Sequence, residues 1–279
     1  MYLRHENGSL RQQAAKKHIT PAGFQKRMKT TLYAFNKKTS WATIPDGHLI
    51  VIADAMIEYI NGVGHTVYFI LLRGINDTKA IIAPFSVRIN DGEGLTGWRW
   101  AFAQLPADIC ERIQVVVCDG INALGIIAYE SGWILQRCHF HLLARLAHNC
   151  SQRRFGKDPV MGKRIQRLAQ VVLTHHDELL IQKRIEELRL IRENTTSRSF
   201  RTVLSGFIKH YKHYRSYLNF PQYHIPTTSN SAEFLIGQIR DLQYRARGFR
   251  TLKSLSVWME AYCKLIQSVT CNGSIHAPS

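Results

Sequence analysis

His48-Leu-Ile-Val-Ile-Ala-Asp54 and Ile113-Gln-Val-Val-Val-Cys-Asp119-Gly120 are two nearly unbroken apolar runs, each ending in an acid. Their length and β-branched content favour strands over helices. A strand apolar at almost every position is buried on both faces, as in the parallel part of an α/β sheet. The first run opens an antiparallel meander. Asn61-Gly62-Val63-Gly64 reads as a turn, residues 65–73 as a second strand, 74–77 as a turn and 79–87 as a third strand. Residues 94–105 read as a helix. The second apolar run is then the fourth strand, followed by a helix over 121–130 and a short fifth strand near 133–136.

Outward from these runs the pattern turns helical. Between residues 138 and 218, Leu, Ile and Val recur at helical spacing among Lys, Arg and Gln. Residues 221–226 are irregular. Thr227-Thr228-Ser229-Asn230 offers several N-caps for a helix carrying Glu233, Ile236 and Arg240. A last amphipathic helix covers about residues 252–267. At the other end, residues 8–35 read as two helices with a tight turn. Thr20 is a cap, Pro21 suits the first helical position, and Phe24, Met28 and Leu32 form a stripe. This is helix-turn-helix spacing, and Lys26 and Lys29 would then face a nucleic acid. An ordinary helical hairpin has the same pattern. A helix-turn-helix unit usually needs another supporting helix, so an upstream piece is expected.

Charge divides the chain the same way. Of a net +17, residues 1–40 carry +8, residues 41–137 carry −4, residues 138–226 carry +10 and residues 227–279 carry +3. An acidic segment lies between basic ones, which suits carboxylates that hold metal flanked by surfaces that hold phosphate. The domain reading follows: 1–40 a DNA-binding segment, 41–137 the first part of a catalytic core, 138–226 a basic helical insertion, and 227–270 the end of the core. Arg153 and Arg154 of the insertion are candidate DNA contacts; a dimerisation role for it stays open. The longest apolar runs are far too short to span a bilayer, so no membrane partner is expected. Six cysteines without a CxxC pair fit a reducing cytoplasm, where a DNA-binding protein would associate with the nucleoid.

If the first and fourth strands are neighbours, Asp54 and Asp119 lie side by side at the sheet's switch point. Two such carboxylates repel unless a cation binds between them. Oxygen donors suit Mg²⁺ or Mn²⁺, and a third carboxylate from Glu233 would complete a site for two ions. Each acid also has a plainer reading: Asp119-Gly120 before a helix is a good cap. Arg240 shares a helix face with Glu233, and Arg245, Arg247 and Arg250 suit a patch that tracks phosphates. Trp98, Trp100 and Trp133 fit core packing better than base stacking.

The order strand–Asp54, meander, helix, strand–Asp119, helical insertion, helix–Glu233 resembles the RNase H-like core of DDE transposases. The local wording is similar to the Mutator-like superfamily of bacterial and archaeal insertion-sequence transposases. Asp119-Gly120 followed by Gln136-Arg137-Cys138-His139-Phe140-His141 matches its second-aspartate block, with Cys138 and His141 as the Cys-x-x-His pair. Thr227-Thr228-Ser229-Asn230-Ser231-Ala232-Glu233 matches its Thr-Thr-x-Asn-x-x-Glu block. The likeness covers roughly residues 45–265. It implies an RNase H-like mixed sheet of strand order 3-2-1-4-5 and a transposase that binds terminal inverted repeats. Such an enzyme hydrolyses a phosphodiester and joins the freed 3′ hydroxyl to target DNA. Asp54, Asp119 and Glu233 would be the metal-holding catalytic carboxylates, His141 a supporting catalytic residue and Cys138 a brace beside the site. Two element ends must meet, so a homodimer or larger assembly is expected. The alternatives are a domesticated or truncated relative that binds DNA without cutting it, and another RNase H-like nuclease such as a junction resolvase.

Overall fold

A computed structural model of the chain describes residues 10–90, 92, 94–149, 159–246 and 249–271; for 149, 159, 245 and 246 it describes the backbone alone. Arg153, Arg154 and Arg247 lie outside the described residues, as does the side chain of Arg245. Two compact units emerge, one of Met1–Ile113 with Asn230–Asn272 and one of Gln114–Ser229 with Gly273–Ser279. Both mix strands and helices, as the α/β reading expects.

The first unit starts with α1 (Leu10–Lys16) and α2 (Pro21–Lys38). Thr20 caps α2, its hydroxyl accepting from the Gly23 amide at 3.1 Å. α2 docks on the last helix of the same unit, α12 (Leu252–Ile266), through buried Leu32 and Asn36. The Asn36 side chain donates to the Val257 carbonyl at 3.1 Å. Buried Lys264 donates to the Asn36 carbonyl, pairs with Glu260 at 2.8 Å and lies over the Trp41 ring. Lys26 and Lys29 remain exposed.

β1 (Leu49–Ile60) and β2 (Val63–Gly74) form a long antiparallel hairpin. Its two-residue turn, Asn61-Gly62, has φ of 52° and 81°, the double positive that suits the twist of the flanking strands. Here the apolar run misleads. Asp54 ends the run but not the strand, which continues six residues with alternating burial because β2 pairs with it to the tip. The expected third strand is also two: β3 (Lys79–Ile81) and β4 (Val87–Asn90), both on β2. Pro84 lacks an N–H and cannot continue a ladder. Around it Ser86 folds the chain into a turn, its hydroxyl accepting from the Ala83 amide at 2.8 Å. α3 (Leu95–Phe102) and an unexpected α4 (Ala107–Arg112) follow. Trp98 is core, edge-on to Tyr68 at 4.9 Å between ring centres.

After α11 (Asn230–Ala246) and α12, Gln267 takes a left-handed conformation and reverses the chain. β7 (Ser268–Thr270) then pairs with β3, a strand too short to show in periodicity.

In the second unit β5 (Ile113–Cys118) and β6 (Ile134–Arg137) pair in parallel, joined by α5 (Asn122–Glu130). The rest is helical: α6 (His139–Asn149), α7 (Pro159–Thr174), α8 (Glu178–Asn194), α9 (Arg198–Tyr214) and the short α10 (Ser216–Asn219). These helices have their own core, with Leu146, Ile165, Ile185, Phe200 and Phe207 almost wholly buried. Asp177 and Ser197 cap α8 and α9. Arg215, itself buried, donates to the carbonyls of Val172 and His175, which the end of α7 leaves without helical partners.

No described helix is long and apolar enough to cross a membrane. The five described cysteines are free thiols.

Gly97 packs against the Tyr68 hydroxyl so closely that a Cβ would collide with it. Gly97→Ala should therefore cost about 1–3 kcal/mol, an overpacking penalty, read from urea unfolding followed by tryptophan fluorescence.

Candidate active site

Asp54 sits mid-strand on β1, half-buried, opposite Phe69, and its Oδ1 accepts from the Ala55 amide at 2.8 Å. Side chains alternate along a strand, so Asp54, Met56 and Glu58 share a face. Glu58, which no motif in the sequence singles out, is 4% exposed. Burial pushes its carboxyl up, while the amide of Gln243 and the charge of Arg240 pull it down. Gln243 Nε2 donates to Glu58 Oε1. Both Arg240 and Gln243 belong to α11, which packs on β1 within this unit. Arg240 thus has a carboxylate nearby, on an otherwise exposed side chain. The hairpin tip is tied as well, the Asn61 side chain donating to the Arg250 carbonyl at 3.3 Å.

Glu233 is half-buried in the first turn of α11. The same turn holds Ser231 beside Cys271, and Cys271 in turn adjoins Arg73. Since Arg73 pairs with Ile50, α11 starts near the beginning of β1 and reaches Glu58 with its later turns.

In the second unit Asp119 follows β5 directly. Its Oδ1 accepts from the Ile121 amide at 3.0 Å, an Asx-type turn ahead of α5; the helix's own N-cap position is Ile121, with no side-chain cap, so Asp119 is not the helix cap that its place before a helix suggested. Oδ2 lies 3.7 Å from Arg145 of α6. The turn bond and the charge pairing thus use different oxygens of one carboxylate. Gly120, at φ 98°, lets the backbone pass against the Arg137 guanidinium, where a Cβ would stand 3.3 Å from Nη1.

Residues 136–141 and 227–229 meet within this unit. The Cys138 amide donates to the Cys118 carbonyl at 2.7 Å, continuing the β5–β6 pairing past Arg137. The His139 amide donates to the Thr227 carbonyl at 2.8 Å, and the Ser229 amide to Cys138 Sγ at 3.3 Å. Cys138 is wholly buried, and its sulfur holds the segment that runs on into α11. Gln136 is spent on structure, donating to the Tyr214 carbonyl and accepting from the Tyr217 amide, each at 3.0 Å.

Two histidines of this block differ. His139 is buried, and its Nε2 lies 2.6 Å from the Tyr214 carbonyl, which can only accept; Nε2 therefore carries the proton. Burial, only partly offset by that bond, pushes its pKa down to about 4. His141 is half-buried in the first turn of α6, edge-on to Phe140. Spacing alone could not tell these roles apart. Burial separates them: residues 135–139 are buried without a break, and the chain comes to the surface at Phe140, just before His141.

Residues 25–262 match the family model described as "Transposase, Mutator family". No curated protein matches the chain.

A histidine kept neutral by burial destabilises the fold in acid. Below its ordinary value of 6.5 the unfolded chain takes up a proton that the folded site refuses. The stability is complete above pH 6.5 and falls as pH drops toward 4, by roughly 3 kcal/mol in all. His139→Gln, which keeps a donor but cannot titrate, should flatten that part of the stability–pH profile. An unchanged slope would mean His139 does not set it.

Proposed function

This chain belongs to the Mutator family of transposases, and we propose that it is a metal-dependent DDE enzyme whose Asp54, Asp119 and Glu233 converge to cut and rejoin DNA. The observation that carries this reading is the Glu58–Gln243 contact. Four residues back along β1 is Asp54, and ten back along α11 is Glu233. Those steps cover about 13 Å and about 15 Å respectively. With α11 running along β1 from its beginning, the two carboxylates belong at one level of the first unit. The RNase H-like order 3-2-1-4-5 would set β5 beside β1 and bring Asp119 to the same point.

The donor set suits Mg²⁺ or Mn²⁺. All three candidates are carboxylates, Asp54 and Glu233 are half-buried, and Asp119 directs one oxygen away from its bond to the Ile121 amide. Cys138, a wholly buried thiol, is too soft a donor for Mg²⁺ or Mn²⁺. Two ions, when bound, would supply Lewis acidity at the scissile phosphate and a more acidic attacking oxygen. The chain's own work is to fix the carboxylates. β1 and α11 hold Asp54 and Glu233, and the turn after β5 holds Asp119. His141 would donate to a phosphate oxygen, and Arg145 would balance Asp119 until DNA arrives.

Terminal inverted repeats and target DNA would be the partners. Exposed Lys26, Lys29 and Arg240 would contact the backbone, together with Arg153, Arg154, Arg245 and Arg247. Bringing two ends together would call for a homodimer or larger assembly, working at the nucleoid.

End-labelled duplexes carrying the element's own ends test this directly. With Mg²⁺ or Mn²⁺ the protein should cut at the 3′ end; with EDTA it should not. Asp119→Ala and Glu233→Gln should each lower the rate by at least about 10³-fold, as loss of a catalytic electrostatic partner does. Their DNA binding in EDTA should be unchanged. Cleavage that survives both substitutions would refute the proposal.

A further inference from the structure

The second unit gathers basic groups around one buried arginine. Arg137, at the end of β6, is 7% exposed. It bonds the Tyr214 hydroxyl and packs against the Gly120 backbone, but its Nε has no hydrogen-bond partner among the described residues. His210 and His213 of α9 have ring centres 6.0 Å apart, and both feel the charge of Arg137. Burial first, then Arg137, pushes His210 down to about 4, with Lys209 and His213 adding to the effect. Arg145 acts on Tyr214 from α6, and Asp119, 3.7 Å from Arg145, is the acid nearby.

Favourable charge at a helix C-terminus would explain Lys212 and His213. It explains neither a buried guanidinium with an unsatisfied N–H nor the two histidines within range of its charge. A buried cation without enough acceptors is costly. An oxyanion relieves that cost, because a guanidinium fork and two neutral imidazoles can all donate to one phosphate.

We infer that Arg137, His210 and His213 form a seat for a phosphate of the DNA backbone, next to Asp119-Gly120 in the second unit. The seat rests on the transposase reading for the source of its phosphate. Arg137 fixes the phosphate in a semi-buried position, and the two histidines close over it from α9. The nucleotide chain would then pass Asp119 in a defined register. This contact orients the strand and takes no part in the chemistry.

The test uses the full-length protein in EDTA, with a short duplex and inorganic phosphate as separate probes. Imidazole NMR signals of His210 and His213, assigned with single Gln variants, should shift saturably with duplex. His210→Ala/His213→Ala, which removes both donors, should bind duplex about tenfold more weakly, the loss of one charge-assisted contact. Both side chains reach solvent, so its melting temperature should stay within about 2 °C of the parent, as for other surface changes. Arg137→Lys, which keeps charge but not the fork, should also weaken binding. Duplex affinity unchanged in the double variant, with the parent binding DNA normally, overturns the seat and leaves the transposase reading intact. Shifts with phosphate in a protein that binds no duplex overturn the DNA source, and the transposase reading with it.

Discussion

Two hydrogen bonds hold the segment that leads into α11: the His139 amide to the Thr227 carbonyl and the Ser229 amide to Cys138 Sγ. They link residues 91 apart in the case of Cys138 and Ser229. Everything between, a whole helical insertion, must fold so that the chain returns to β6 before α11 begins. The insertion meets this with its own core and with Arg215, which ties the end of α7 to the start of α10. Gln136 and Ser216 complete the return, Ser216 Oγ donating to the Leu135 carbonyl at 2.6 Å. The region is thus a folded brace around the residue 136–141 and 227–229 segments, with basic residues on its outside.

The same logic operates in the first unit. There a strand and a helix are locked by one buried polar contact, Gln243 on Glu58, with Arg240 close by. A buried acid without such partners would be costly, so the contact specifies register as well as offsetting desolvation. It decides how far along β1 each turn of α11 lies, and therefore where Glu233 comes to rest.

Much of this was legible in the sequence. The two apolar runs became β1 and β5, Asn61-Gly62 became the hairpin turn, and Thr20-Pro21 started α2, because each depends on local chemistry alone. What escaped depends on tertiary partners or on shortness. β1 outlasts its apolar run because β2 pairs with the remainder. Pro84 splits the third strand through the Ser86 turn, and β7 is three residues long. Among site residues, Glu58 lies past the apolar run that marks β1 and so draws no reading, and Arg137 stands only as one letter of the Gln136–His141 block. Only burial distinguishes them. Asp119 reads as cap or ligand from its sequence context; it closes a turn before α5 rather than capping the helix, and its second oxygen faces Arg145.

The central claim is that Asp54, Asp119 and Glu233 hold ions together. Iron-mediated affinity cleavage measures this directly. Fe²⁺ is loaded in place of Mg²⁺, radicals are generated with ascorbate and peroxide, and backbone cuts are mapped by mass spectrometry. The account predicts cuts clustered near all three carboxylates, suppressed together by excess Mg²⁺ and by Asp54→Asn. Cuts confined to one carboxylate, or indifferent to Mg²⁺, would contradict it.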